Sequence, residues 1–170
     1  MFIYKKLVTV AFVMIALKTG ALMAATATTN MSVSATVVNS CTISAGSMSF
    51  GSYDPVVTNA STNLDQNATL TVTCTNQAAT TITLGQGSNA AGGSTDAAPA
   101  RRLANGTNYL SYALYQDASR NTVWGNTVGT SNAYTGTGSS SSVSVYGRVT
   151  SAQNVPAGSY TDTVVVTITF

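Results

Sequence analysis

The sequence predicts an all-β domain, and three observations support this fold class. Charged residues make up 7% of the 170-residue chain, whereas Ser, Thr, Asn, Gly and Ala are abundant. Apolar residues alternate with polar ones at a period of two in several short stretches, as they do in half-buried strands. Residues that favour turns separate these stretches. A chain of this length suits one domain with its own core.

Residues 1–24 have the composition of a secretory signal peptide. Lys5 and Lys6 precede an apolar run at 7–17, and small residues follow up to Ala27. A basic start, a short apolar run and a small-residue exit are typical of such peptides. We expect cleavage between residues 24 and 27. The apolar run is shorter than the roughly 20 residues that span a membrane, so we expect no membrane span in the exported chain.

Removal of this peptide changes the charge balance. The exported chain keeps four Arg and five Asp, a net charge of −1, and it has no Lys, Glu or His. Without a basic surface it lacks the electrostatic signature of a nucleic-acid-binding protein. Without His it cannot form a Ser–His–Asp or Cys–His catalytic arrangement.

The remaining side chains offer few routes to catalysis. Two thiolates are too few for a zinc site. A glycosidase-like pair of Asp carboxylates is compatible with the composition, but turn capping explains the Asp residues more simply. The capping candidates are Asp54, Asp65, Asp96 and Asp117. The sequence therefore predicts a protein that is not an enzyme and that has no metal or cofactor.

Two cysteines, Cys41 and Cys74, lie in the exported part. An even number of cysteines in an oxidising compartment predicts a disulfide. The chain-entropy description gives a loop of this length a stabilisation of about 3–4 kcal/mol.

The exported chain contains about six main strand patterns and one detached N-terminal pattern. In chain order the patterns cover 31–37, 41–50 with an interruption at 45–46, 68–74, 80–84, a short edge strand at 101–103, 109–116, a short strand ending at Trp124, 142–149 and 163–170. Loops are expected at 51–63, 85–100 and 125–142. Short strands separated by turns favour a β-sandwich of immunoglobulin type.

The two ends of the exported chain carry matching apolar stripes. The first consists of Met31, Val33, Ala35 and Val37, and the second of Val164, Val166, Ile168 and Phe170. Both could be edge strands of a complete sandwich that pair with each other. Alternatively, the sandwich is incomplete, and a strand donated by another chain fills a groove beside the last strand. An exposed apolar edge is an aggregation hazard unless a partner covers it. Residues 28–38 have the form of such a donor.

Four stretches resemble the spore coat protein U domain, the domain of subunits of archaic chaperone–usher pili of the Csu type. They are SATVVNSCTIS, LTVTCTN, YLSYALYQDASRNTVWG and GSYTDTVVVTITF. The most specific parts are the Tyr-x-Leu-Tyr-x-Asp-x-x-Arg block at 112–120 and the Gly-x-Tyr-x-Asp-Thr-Val-x-Val-Thr block at 158–167. The resemblance covers essentially the whole exported chain, in the order of the family.

The resemblance implies a pilin fold over residues 39–170, an immunoglobulin-like sandwich that lacks its final strand. A periplasmic chaperone lends the missing strand, and the N-terminal segment of the next subunit later replaces it at the outer-membrane usher. By position, Met31, Val33, Ala35 and Val37 would be donor residues in segment 28–38. Val164, Val166, Ile168 and Phe170 would line the acceptor groove and contact the chaperone, with the carboxylate of Phe170 on basic chaperone residues. Cys41 and Cys74 would form the family disulfide.

The implied function is that of a structural pilus (fimbrial) subunit exported through the periplasm to the cell surface, where it supports attachment and biofilm formation. Neighbouring subunits would be copies of this chain or other pilins. The chain has no room for a receptor-binding domain, so a shaft or adaptor role is expected. Two departures from the family affect the donor register: Ala35 is small, and the loop at 125–142 is long.

Two other functions fit the sequence. A secreted sandwich could bind a carbohydrate or another surface ligand on an aromatic platform of Tyr109, Tyr112, Tyr115 and Trp124. A coat protein of a resistant cell or spore could assemble by the same strand chemistry.

Overall fold

The computed structural model describes residues 20, 21 and 23–170. Apart from its last few residues, the predicted signal peptide at 1–24 lies outside the described residues. The chain divides into two units, Met1–Ala35 and Thr36–Phe170. In the first unit, residues 23–35 are exposed and have no regular secondary structure.

Eight strands and one turn of 3₁₀ helix form the second unit. The strands are β1 (Cys41–Ala45), β2 (Leu64–Cys74), β3 (Ala79–Leu84), β4 (Arg101–Asn105), β5 (Asn108–Tyr115), β6 (Asn132–Thr135), β7 (Ser140–Val149) and β8 (Val166–Thr169). The 3₁₀ turn covers Val128–Thr130.

The strands form two antiparallel sheets. The five-stranded sheet has the order β1-β2-β7-β5-β4, and the three-stranded sheet has the order β6-β3-β8. Inward residues of both sheets share one core, including Leu70, Val72, Ile82, Leu84, Leu114, Val145 and Val149. Trp124, from the segment after β5, is fully buried in the same core. The all-β sandwich expected from the sequence is therefore confirmed.

The prediction of a loop at 125–142 was wrong in part, because the segment contains the 3₁₀ turn and β6. β6 pairs with β3 in a register that places Thr80 opposite Tyr134, and the Thr80 hydroxyl donates a 2.9 Å hydrogen bond to the Tyr134 carbonyl. The segment is a strand because β3 offers it a pairing edge, which its Gly/Ser/Thr-rich composition does not signal.

The predicted continuation of the first strand to residue 50 does not form. β1 ends at Ala45, and the segment from Gly46 to Phe50 has no regular secondary structure. Its Met48 and Phe50 side chains nevertheless pack against the core. Apolar residues alternate in this segment because one of its faces is buried, although the segment forms no strand.

The Gly- and Ala-rich loop at 85–100 is fastened by two arginines of β4. Arg101 Nε donates to the Gly85 carbonyl at 2.9 Å. Arg102 donates to the carbonyls of Asn89 and Ala90 at 3.0 and 2.9 Å. Because these bonds satisfy main-chain acceptors that have no ladder partner, the loop has a defined conformation.

Candidate functional site

The last strand presents alternate residues to the core. Val164, Val166 and Ile168 are half-buried and pack against the core cluster. Val165, between them, is 68% exposed, and Phe170 is 54% exposed. The structure therefore brings three of the four predicted groove residues to one inward face and leaves Phe170 at the surface.

The outer edge of β8 has free main-chain groups. β8 is the terminal strand of its sheet, with β3 on its other side. Gly85 N–H donates to the Val165 carbonyl at 2.9 Å, so Gly85 and Val165 form a hydrogen-bonded pair that continues the ladder between β3 and β8. Hydrogen-bonded pairs alternate in antiparallel ladders, so the main-chain groups of Val164, Val166 and Ile168 point away from β3. No strand pairs with that edge in the part of the chain that the structure describes.

A groove runs beside the segment that leads into β8, between the segments 45–55 and 155–166. It consists of two adjoining cavities of about 290 and 830 Å³. Both are lined by Met48, Phe50, Leu103 and Asp162. The smaller cavity opens onto core side chains and is walled by Val164 and Val166, whereas Ile168 and Phe170 line neither cavity.

The groove contains one carboxylate among these apolar side chains. Asp162 Oδ2 accepts a 2.7 Å hydrogen bond from the Tyr112 hydroxyl. Its Oδ1 accepts bonds from the main-chain N–H groups of Ser88 and Asn89 at 2.9 and 3.2 Å. Burial, and then the hydrogen bond to Asp162, raise the pKa of Tyr112 well above its ordinary value. The phenol therefore remains protonated and holds the carboxylate in place.

Arg101 supports the groove from within the core. Its side chain is 1% exposed, and its Nη2 donates to the carbonyls of Leu84 and Trp124 at 2.8 Å each. Burial lowers the pKa of Arg101 to about 10, so the guanidinium stays charged at neutral pH. It links β4 to the end of β3, across the two sheets.

The predicted disulfide between Cys41 and Cys74 is present. The two cysteines are also register partners in the β1–β2 ladder. Directly before Cys41, Ser40 N–H donates to the Thr75 hydroxyl at 3.0 Å, and Thr75 N–H donates to the Ser40 carbonyl at 2.9 Å. The start of the sandwich is therefore fixed at Ser40.

The predicted donor residues have no pairing partner among the described residues. Met31, Val33 and Val37 are 84%, 86% and 84% exposed, and Ala35 is also exposed. These values describe apolar side chains that are available to another chain. The donor assignment itself remains a prediction.

The aromatic platform expected for a carbohydrate-binding protein does not form. Trp124 is fully buried and Tyr112 is 8% exposed, whereas Tyr109 is 40% exposed. Trp124 donates its indole N–H to the Ile82 carbonyl at 2.9 Å. Trp124 and Tyr112 are therefore used in the core, and Tyr115 is half-buried.

The groove residues that sequence reasoning missed include Met48, Phe50 and Asp162. Asp162 lies on the same period-two stripe as Val164 and Val166, and this spacing could have placed it on the wall. Met48 and Phe50 alternate in the same way, but their position opposite the last strand follows only from the tertiary fold.

Within residues 20, 21 and 23–170, no three His, Cys, Asp or Glu side chains are grouped so that they could hold a metal ion. None of the helices in that part of the chain has the length and apolar character needed to cross a membrane.

Two comparisons with known proteins show the family. Residues 27–167 match the Spore Coat Protein U domain. The chain is 49% identical over 155 residues to Protein U of Myxococcus xanthus, an alignment that covers 86% of this chain and 87% of that protein.

The fold is similar to a chain in the crystal structure of the CsuC–CsuE chaperone–tip adhesion subunit pre-assembly complex from archaic chaperone–usher Csu pili of Acinetobacter baumannii. The TM-score is 0.55 at 20% identity, and the match covers 79% of this chain and 40% of that chain. The present chain thus spans less than half of that solved chain, and the likeness concerns the fold. On the match over residues 27–167 and the identity to Protein U, the chain belongs to the Spore Coat Protein U domain family.

Proposed function

We propose that this protein is a structural pilus subunit that polymerises by donor-strand exchange through a chaperone–usher pathway. The free edge of β8 beside an apolar groove is the observation that carries the proposal. Strand addition at a sheet edge uses main-chain hydrogen bonds for affinity and alternate side chains for specificity. Val164 and Val166 offer both, because their main-chain groups point outward while their side chains wall the groove.

The donor is the segment 28–38 of another subunit. Its stripe of Met31, Val33, Ala35 and Val37 is exposed, and small polar residues alternate with it. Covering this stripe and the groove together removes apolar surface from water on both chains. The same step removes a free sheet edge, which otherwise promotes aggregation.

The partners are a periplasmic chaperone, an outer-membrane usher and neighbouring pilins. The similar fold in a chaperone–subunit pre-assembly complex of Csu pili supports this set. The protein passes through the periplasm to a surface pilus, where it supports attachment and biofilm formation. Its role is structural rather than catalytic.

Deletion of residues 28–37 tests the proposal in cells that express the chaperone and the usher. The deleted subunit should bind the chaperone but form no multimers that survive SDS at room temperature. Val33→Asp should have the same effect, because a carboxylate would enter the apolar groove. Ser34→Asp is the matched control, since position 34 has the opposite phase, and it should leave multimers intact. Long heat-resistant multimers of the deleted chain would disprove the donor assignment.

A further inference from the structure

The groove wall ends in a charged residue. Asp162 has the phase of Val164 and Val166, and it lines both cavities of the groove. On this phase the last segment of the chain reads Asp162, Val164, Val166, Ile168 and Phe170. The first three residues line the groove, whereas the last two continue the stripe beyond it. The carboxylate is held in place by four hydrogen bonds: the Tyr112 hydroxyl donates to Oδ2, and Ser88 N–H, Asn89 N–H and Asn89 Nδ2 donate to Oδ1. Oδ2, with one donor, is the oxygen that can accept another.

The donor stripe has the same pattern. Its four apolar positions, Met31 to Val37, are flanked on the same phase by Thr29 and Asn39. Asn39 is also the last stripe position before the sandwich, because Ser40 is held by Thr75. In both segments a stripe of four apolar residues thus has a polar residue two positions beyond one end, Asn39 after Val37 and Asp162 before Val164.

We propose that Asp162 is a specificity-determining residue that sets the register of the donated strand by accepting a hydrogen bond from Asn39 of a second copy of this chain. The inference rests on the proposed donor-strand function and deepens it. All strand pairs of the sandwich are antiparallel, and we assign the same direction to the donor. Val37 then lies opposite Val164, and Asn39 lies opposite Asp162.

The main-chain phase agrees with this alignment. In an antiparallel pair, residues directly opposite each other have their side chains on the same face. Val37 opposite Val164 and Ala35 opposite Val166 therefore put both apolar stripes into the groove. The outward main-chain groups of Val164 and Val166 meet those of the same donor residues, which forms the hydrogen-bonded pairs of the new ladder.

The carboxylate penalises the neighbouring in-phase register. A shift of two residues toward Asp162 places Val37 against the carboxylate, which removes water from the charge and offers no donor in exchange. In the proposed register the Asn39 amide supplies an N–H donor to a charged acceptor. A shift of one residue turns the donor stripe away from the groove altogether. The proposed register is thus favoured over both of these shifts.

The test uses full-length chains assembled into fibres in cells, with Asn39→Asp as the main variant. Asn39 is exposed, so this change should leave folding intact, which the fluorescence of Trp124 can verify. Two carboxylates would then face each other in every subunit contact. We expect subunits to dissociate from purified fibres in SDS about tenfold faster than in the wild type. Asp162→Asn added to Asn39→Asp should restore most of the loss.

Thr29→Asp is the matched control. It introduces the same charge at the other end of the donor segment, beyond Phe170 in the antiparallel alignment, so it should raise the dissociation rate less than Asn39→Asp does. Equal rates for wild type and Asn39→Asp would overturn the inference, and so would a loss confined to Thr29→Asp. In both cases, fibres that form normally from the wild type would still support the proposed function. If the wild type and the variant lacking residues 28–37 formed the same SDS-resistant multimers, the proposed function would be refuted, and the inference with it.

Discussion

The Tyr112 hydroxyl donates a 2.7 Å hydrogen bond to Asp162 Oδ2, so the two most specific sequence blocks of the chain meet inside the molecule. Tyr112 begins the block at 112–120, in β5 of the five-stranded sheet. Asp162 lies in the block at 158–167, on the segment that leads into β8. Each block therefore contributes one end of a bond that ties the groove wall to the opposite sheet.

Removing this bond should destabilise the sandwich. Tyr112→Phe keeps the ring, which packs edge-on against Phe50, but leaves a carboxylate oxygen without its donor. We expect the free energy of unfolding to fall by about 1–2 kcal/mol. Urea unfolding followed by Trp124 fluorescence measures this. Tyr109→Phe, at a 40% exposed position, is the control, and equal losses in the two variants would contradict the role of the bond.

Arg101→Met should cost more than the same change at any of the three half-buried arginines. It leaves the carbonyls of Leu84 and Trp124 buried without their donor, and we expect a loss of about 3 kcal/mol or more. The matched variant is Arg102→Met, whose side chain is half-buried and bonds a surface loop. Urea midpoints that fall equally for both variants would show that the buried guanidinium is not a special support.

Sequence alone predicts the strands in which burial of one face makes apolar and polar residues alternate. The alternating segments 68–74 and 80–84 lie within β2 and β3, because one face of each packs into the core. β6 was missed because its four residues form a strand only through β3. The bond from Tyr112 to Asp162 spans 50 positions, and no local pattern encodes such a partner. The stripe at 31–37 is recognisable because its apolar residues alternate with polar ones, as its proposed role as a donated strand requires.

Loss of the disulfide should destabilise β1, the edge strand of the five-stranded sheet. Cys41 and Cys74 are separated by 33 positions, and the double variant Cys41→Ser/Cys74→Ser should lose about 3–4 kcal/mol of unfolding free energy. Dithiothreitol should lower the urea midpoint of the wild type to that of the variant and should not affect the variant. If dithiothreitol lowered the urea midpoints of the wild type and the variant equally, the reductant would be acting on something other than this disulfide.

Gly147→Ala should displace two side chains that line the groove, Met48 and Phe50. An added Cβ at Gly147 would meet Met48 Sδ and lie 2.9 Å from a ring carbon of Phe50, so both groove residues must move. We expect a loss of about 1–3 kcal/mol, together with fewer SDS-resistant multimers. Gly129→Ala is the control, because an added Cβ there meets open space. Unchanged stability and assembly in Gly147→Ala would show that Met48 and Phe50 adapt without cost.

Acid should weaken the outer face of the five-stranded sheet through one ion pair. Arg148 bonds both oxygens of Asp65 at 2.7 Å, and Arg120 lies 3.4 Å from one of them. The bonds from Arg148 hold the pKa of Asp65 below its ordinary value of 3.8. A lowered folded-state pKa gives stability that is complete above the unfolded-state pKa and is lost as pH falls through the folded-state pKa. The carboxylate is 34% exposed, so the contribution is about 1 kcal/mol or less.

Asp65→Asn isolates this contribution from the other carboxyl groups. Main-chain hydrogen bonds, led by those from Val57 and Thr122, also lower the pKa values of Asp54 and Asp117, so the wild type loses stability in acid for several reasons. Urea midpoints measured from about pH 6 to about pH 2 should show the variant less stable than wild type at the upper end, with the two curves converging in acid. Arg148→Met should give the same convergence by removing the partner instead. A gap between wild type and Asp65→Asn that stays constant with pH would show that the ionised carboxylate adds no stability.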